Sequence, residues 1–89
     1  MTQPDRESRV ITVRLFAAAR DRAGSDSVNV ELPAGATIGD LRSVLGVSVP
    51  TLHAVSRHLL FAVGTEYATD ASAVPESDEV VAFPPVSGG

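Results

Sequence analysis

One well-marked helical repeat stands between two groups of strand-like runs, and that order leaves few folds open. Thr37 has the side chain of a helix N-cap, with Asp40 three residues on in a capping-box position. Ile38, Leu41, Val44 and Leu45 then recur at helical spacing, and Gly46 reads as the C-terminal stop. Before the helix, Arg9 to Phe16 alternates. Ile11, Val13 and Leu15 share one face while Thr12 and Arg14 point the other way, the pattern of a strand with one buried side. Val28, Val30 and Leu32 alternate with Asn29 and Glu31 in a second strand, which Pro33-Ala34-Gly35 breaks. Between the two strands, Ala17-Ala18-Ala19-Arg20 predicts a short helical turn ahead of Gly24.

After the helix, Pro50 suits the first turn of a second short helix carrying Leu52 and Val55. Leu59 to Val63 reads as a buried strand, and Gly64 turns the chain toward a weak strand near Tyr67. Pro75-Glu76-Ser77-Asp78 is a polar turn, and Glu79 to Phe83 is the last strand. In 89 residues there is room for one domain with one small core, burying about 60–65% of the unfolded surface. The order β-β-α-(α)-β-(β)-β predicts an α+β domain in which one main helix and a short second helix accompany a mixed sheet of four to five strands. This is the β-grasp, or ubiquitin-like, arrangement. The parallel pairing of the first and last strands at the centre follows from that fold, not from the pattern. The expected divisions are a disordered N-terminal arm over residues 1–8, the β-grasp domain over 9–83, and an extended tail over 84–89.

Composition removes several classes of function. Cys is absent, so there is no thiol nucleophile, thiolate metal site or disulfide. The formal net charge of −4 opposes nucleic acid and anionic membrane as partners. All seven basic residues are Arg, so no side-chain amine can form a Schiff base or accept an isopeptide bond. No apolar run reaches the roughly 18–20 residues that cross a bilayer. The polar start predicts a cytoplasmic protein. His53 and His58 are five apart, about 140° around a helix, and do not share a metal. Gly35 and Gly39 flank a helix start without a phosphate-binding fingerprint, and the adjacent carboxylates Asp78 and Glu79 point apart. No site for catalysis by this chain alone emerges.

The last strand and its continuation carry the functional signal. Val80 and Ala82 face one side and Val81 and Phe83 the other, so both faces are apolar. A single helix covers only one of them. The second is covered by a loop or the N-terminal arm, or docks a partner. Pro84 and Pro85 then hold the chain extended into Val86, Ser87, Gly88 and Gly89. From Phe83 to Gly89 the reach is roughly 20–25 Å at about 3.3–3.6 Å per residue. Two glycines let such a tail enter a narrow slot and deliver a carboxylate to another protein's active site. That carboxylate, with a pKa near 3.3–3.7, is an anion and must be activated before it can carry anything.

The run Phe61-Ala62-Val63 and the ending Asp78-Glu79-Val80-Val81-Ala82-Phe83-Pro84-Pro85-Val86-Ser87-Gly88-Gly89 resemble the MoaD family, the small sulfur-carrier subunits of molybdopterin synthase. Val13-Arg14-Leu15-Phe16-Ala17-Ala18-Ala19-Arg20-Asp21 is similar to that family's opening motif. The resemblance implies that Gly89 is adenylated by a MoeB-like enzyme using ATP and becomes a thiocarboxylate, with no cofactor bound permanently. The sulfur comes from a separate donor. The tail, Pro84 to Gly88, then enters a MoaE-like large subunit and gives sulfur to cyclic pyranopterin monophosphate. Val81 and Phe83 form the docking face of a heterotetramer. The sequence departs from the family's usual residues at Gly64, Ser77 and Ala82. Two alternatives share the tail chemistry up to the adenylate: a ThiS-like carrier for thiamin or cysteine synthesis, and a ubiquitin-like protein modifier.

Overall fold

The structure, a computed structural model, describes residues 8–75 and 79–85. Five strands form one sheet: β1 (Ser8–Leu15), β2 (Ser27–Pro33), β3 (Leu60–Val63), β4 (Glu66–Ala68) and β5 (Val80–Phe83). Their spatial order is β2-β1-β5-β3-β4. β1 and β2 form an antiparallel pair from Ser8↔Pro33 to Arg14↔Ser27. β5 lies at the centre, parallel to β1 through Val13↔Val80 and Leu15↔Ala82, and antiparallel to β3 through Leu60↔Phe83 and Val63↔Val80. The β-grasp arrangement expected from the element order is the one present. β1 begins one residue before the boundary expected for the N-terminal arm, whose residues 1–7 lie outside the described residues.

The main helix, α2 (Ile38–Ser48), starts with a reciprocal capping box. The Asp40 backbone N–H donates to Thr37 Oγ1 at 3.2 Å, and the Thr37 N–H donates to Asp40 Oδ2 at 3.0 Å. Two orphan amides of the first turn are thereby satisfied. Ile38, Leu41 and Leu45 are fully buried against the inward face of the sheet, where they meet Val13, Leu15, Val30, Leu32, Phe61, Val80 and Ala82. Of the residues whose periodicity marks them for this core, Val28 and Val44 are only half-buried.

Two local expectations need correction. Gly46 does not stop the helix, which runs on to Ser48. It is buried there because Ser56 packs on it: a Cβ at position 46 would lie 2.7 Å from Ser56 Oγ. The glycine marks a close approach, not a cap. The short second α-helix is α1 (Ala17–Ala23), between the first two strands and closed by Gly24 at φ 74°. The segment at Pro50 is instead two 3₁₀ turns, Pro50–Leu52 and Ser56–His58, with Leu52 buried and Val55 half-buried.

The segment between α2 and β3 is fixed by Arg42. Its Nη1 donates to the carbonyl oxygens of Ser56 at 2.9 Å, Arg57 at 3.2 Å and Leu59 at 2.7 Å. Its Nε and Nη2 both donate to Asp70 Oδ1, at 3.1 and 2.8 Å. The guanidinium also lies 5.0 Å over the Phe61 ring. One planar cation thus ties the helix, the entry to β3 and the loop after β4 together, a task that needs the fork of donors on Arg. The same loop is stitched to the start of α2, where the Ile38 and Gly39 amides donate to the Ser72 and Asp70 carbonyls.

Candidate functional site

The strand alternation of β5 sorts its side chains by face. Val80 and Ala82 are fully buried beneath α2, while Val81 and Phe83 stand half-buried on the opposite face. Register decides which residues join them there. Arg14 pairs with Val81, Ala62 pairs with both Val81 and Tyr67, and Leu60 pairs with Phe83. The open face therefore has two halves. Over β2 and β1 it is mainly polar, with Glu31, Asn29 and Thr12 exposed and the Thr12 hydroxyl donating to Asn29 Oδ1 at 2.8 Å. Over β5, β3 and β4 it is apolar.

Within the apolar half lies a shallow concavity of about 410 Å³, lined by Phe16, Ala62, Gly64, Thr65, Tyr67, Val81 and Phe83. Its floor is low because Ala62 is small, and its walls are aromatic. Tyr67 is 78% exposed and Phe16 45% exposed, so two large rings present apolar surface to solvent. Contiguous apolar surface of this kind, rimmed by polar residues, is the character of an interaction site. Gly64 makes the tight β3–β4 turn at φ 62°, a left-handed conformation that a glycine adopts without strain. Among the described residues, the cation at the rim is Arg14. Arg14 contacts Glu79 Oε2 at 3.4 Å and stands 5.9 Å over the Phe16 ring, with about half of its side chain exposed.

The sequence-predicted site residues fall in two groups. Val81 and Phe83 are together on this face, as the alternation of β5 requires. Pro84 is half-buried and Pro85 exposed, directly after the end of the central strand. The Ala82 carbonyl is held by the Phe16 amide at 3.2 Å, which anchors the root of the tail to β1. Val86, Ser87, Gly88 and Gly89 lie outside the described residues. Sequence reasoning missed Phe16, Ala62 and Tyr67 as companions of Phe83. The alternation of Ala62 with buried Phe61 was the available signal; the pairing of three strands was not.

His53 and His58 are exposed, the first just after one 3₁₀ turn and the second at the end of the other. Among the described residues no three His, Cys, Asp or Glu side chains gather where they could hold a metal ion. None of their helices is long and apolar enough to cross a membrane.

Comparison with known proteins gives a consistent picture. The model of the ThiS family matches residues 13–89. The molybdopterin synthase sulfur carrier subunit of Arabidopsis thaliana is 35% identical over 85 residues, covering 96% of this chain and 88% of that one. The corresponding subunit of Chlamydomonas reinhardtii is 37% identical over 81 residues, covering 89% and 98%. Among solved structures, the crystal structure of small archaeal modifier protein 1 from Haloferax volcanii superposes with a TM-score of 0.75 at 33% identity, covering 93% of this chain and all of that one. Its fold, its central strand leading into the C-terminal tail and these relatives agree: the chain belongs to the ThiS family of β-grasp proteins.

Proposed function

We propose that this chain is the sulfur-carrier subunit of a molybdopterin synthase, with the carboxylate of Gly89 as the carrying group. The observation that bears most weight is the continuity of the molecule at one point. The central strand of the sheet runs into Pro84 and Pro85 beside an open aromatic concavity, and the sequence goes on from there to Gly88 and Gly89. A rigid root next to a docking surface aims a slim tail into whatever binds that surface. The named relatives support the sulfur-carrier reading.

The chemistry follows from the carboxylate. An activating enzyme joins Gly89 to the AMP moiety of ATP, releasing pyrophosphate. Sulfur from a donor then displaces AMP and leaves a thiocarboxylate. Resting on the face of Val81 and Phe83, the large subunit receives the tail from Pro84 to Gly88. Sulfur attached to Gly89 passes to the pterin precursor, and hydrolysis returns the carboxylate. The absence of side chains at Gly88 and Gly89 lets the slot close around the backbone. Two small and two large subunits form the assembly. ATP belongs to the activating enzyme and not to this chain.

The test is intact mass after incubation with ATP, an adenylating enzyme and a sulfur source. Replacement of one oxygen by sulfur at Gly89 is expected. An unchanged mass beside a competent control carrier contradicts the reading. A second reading, attachment to amines of other proteins, is favoured by the likeness to small archaeal modifier protein 1. Protein conjugates without a thiocarboxylate would select it.

A further inference from the structure

An activated tail is an acyl donor, and every copy of this protein is surrounded by other copies. The Gly89 adenylate reacts with a free amine to form an amide, releasing AMP and one proton. A lysine on the surface of a second copy would be such an amine, and so would one on the same copy. Fully extended, the tail spans at most about 20–22 Å beyond Phe83. Exposed side chains of a second copy fall within its reach, as do those of the same copy that lie near the end of β5.

The chain contains no lysine, and its seven cations are all Arg. Contact geometry accounts for this at one of the described positions. Arg42 uses its fork of donors on three carbonyls and a carboxylate, and a lysine cannot replace it there. The exposed positions make no such demand. Arg20 makes one loose ion pair, 3.8 Å to Asp21, and Arg14 makes one, 3.4 Å to Glu79. The Arg22 and Arg57 side chains are exposed and form no ion pair among the described residues. A lysine would keep the charge at each of these places. What it would add is a nucleophile. At pH 8.5 an ordinary ammonium with a pKa near 10.4 is free in about 1 copy in 100, whereas a guanidinium stays protonated throughout the range in which proteins are handled.

We propose that the all-arginine surface leaves no side-chain amine to capture the protein's own activated tail, so that the Gly89 adenylate is not lost to side-chain conjugation before its sulfur donor arrives. The inference rests on the carrier reading. It assigns the exposed arginines a chemical role, exclusion of side-chain amines, that their contacts do not.

The experiment introduces the missing nucleophile without changing charge. Arg22→Lys and Arg57→Lys, separately and together, and the unaltered protein are incubated at pH 8.5 with ATP and an adenylating enzyme for this carboxylate, with no sulfur source. AMP release reports activation, intact mass reports conjugation, and peptide mapping places any new amide. Both substitutions are on the surface and are expected to leave the melting temperature unchanged. The expected result is two-chain species lighter than two monomers by one water, or a single chain lighter by one water. The new amide should map to residue 22 or 57, at about tenfold or more above the unaltered protein. Any amide on the chain's own α-amine is separated by the mapping. Equal and normal AMP release with no lysine conjugate in the variants overturns this inference and leaves the carrier reading standing. Side-chain conjugates of the unaltered protein at the variants' level also overturn it. No activation of the unaltered protein overturns the carrier reading, and this inference with it.

Discussion

The ring of Tyr67 lies 5.9 Å from the ring of Phe83, tilted by 46°, although the strand β3 runs between their strands. They meet because Ala62, which pairs with Tyr67 in β3, is too small to separate them. The tilted arrangement is among the favourable ones for aromatic pairs. It holds Phe83, the last residue before the prolines, at the edge of the open concavity.

Truncating either ring is therefore expected to weaken docking more than folding. Phe83→Ala and Tyr67→Ala should each reduce affinity for the large subunit by about 2 kcal/mol or more, the effect of truncating an aromatic anchor at a protein interface. Tyr67 is mostly exposed, so its truncation should change stability by less than about 1 kcal/mol. Titration calorimetry with the large subunit, beside thermal melting of the free protein, checks both. Affinities equal to that of the unaltered protein would remove this face from the interface.

Filling the concavity makes the complementary case. Ala62→Leu places a larger side chain on the exposed side of β3, where it meets Tyr67 and Val81 without entering the core. Stability should hold within about 1 kcal/mol, while binding falls at least tenfold because the partner's apolar group loses its seat. The same calorimetric titration decides it, and undiminished binding would mean that the concavity is not a seat.

Replacement of Arg42 tests the clasp. Arg42→Lys retains the charge but cannot serve Asp70 and the three carbonyls at once. Carbonyl groups left without donors cost about 1–3 kcal/mol in all for partly buried groups. Urea denaturation should show a loss of this size. A variant as stable as the unaltered protein would make the clasp incidental.

Much of the fold was legible because its signals are local. The alternation of Ile11, Val13 and Leu15, and the Thr37–Asp40 capping box, depend on residues a few positions apart. What was not legible depends on distant ones. Gly46 resembles a helix stop, yet it is the landing point of Ser56, ten residues on. Arg42 looks like a solvated helix residue until its partners, 14 to 28 residues away, are in place. Val28 has the right parity for the core but is only half-buried. At the candidate site, the sequence indicated Phe83 and the tail. Tyr67 and Phe16 joined them only through the β5-β3-β4 and β1-β5 pairings, and those are set by the whole sheet.

Close packing at Gly46 gives a further prediction. Gly46→Ala gains about 1 kcal/mol of helix propensity. The added Cβ, however, would meet Ser56 Oγ at 2.7 Å and Ser56 Cβ at 3.2 Å. Overpacking of this kind typically costs about 1–3 kcal/mol, so a net loss is expected. In the double variant with Ser56→Gly the clash is removed, and part of the loss should return. Thermal melting of the single and double variants reads the difference. A stabilised single variant would show that the 3₁₀ turn moves aside freely.

The most direct measurement concerns the end of the chain. If the Gly89 carboxylate carries the sulfur, its position as the last residue is essential. Extension by a single Ala converts it to an internal amide and leaves the domain untouched, with stability unchanged within about 0.5 kcal/mol. Intact mass with ATP, adenylating enzyme and sulfur donor should then show a thiocarboxylate on the unaltered protein and none on the extended one. Molybdopterin formation with the large subunit should follow the same division. Thiolation and turnover of the extended protein at the level of the unaltered one would contradict the account.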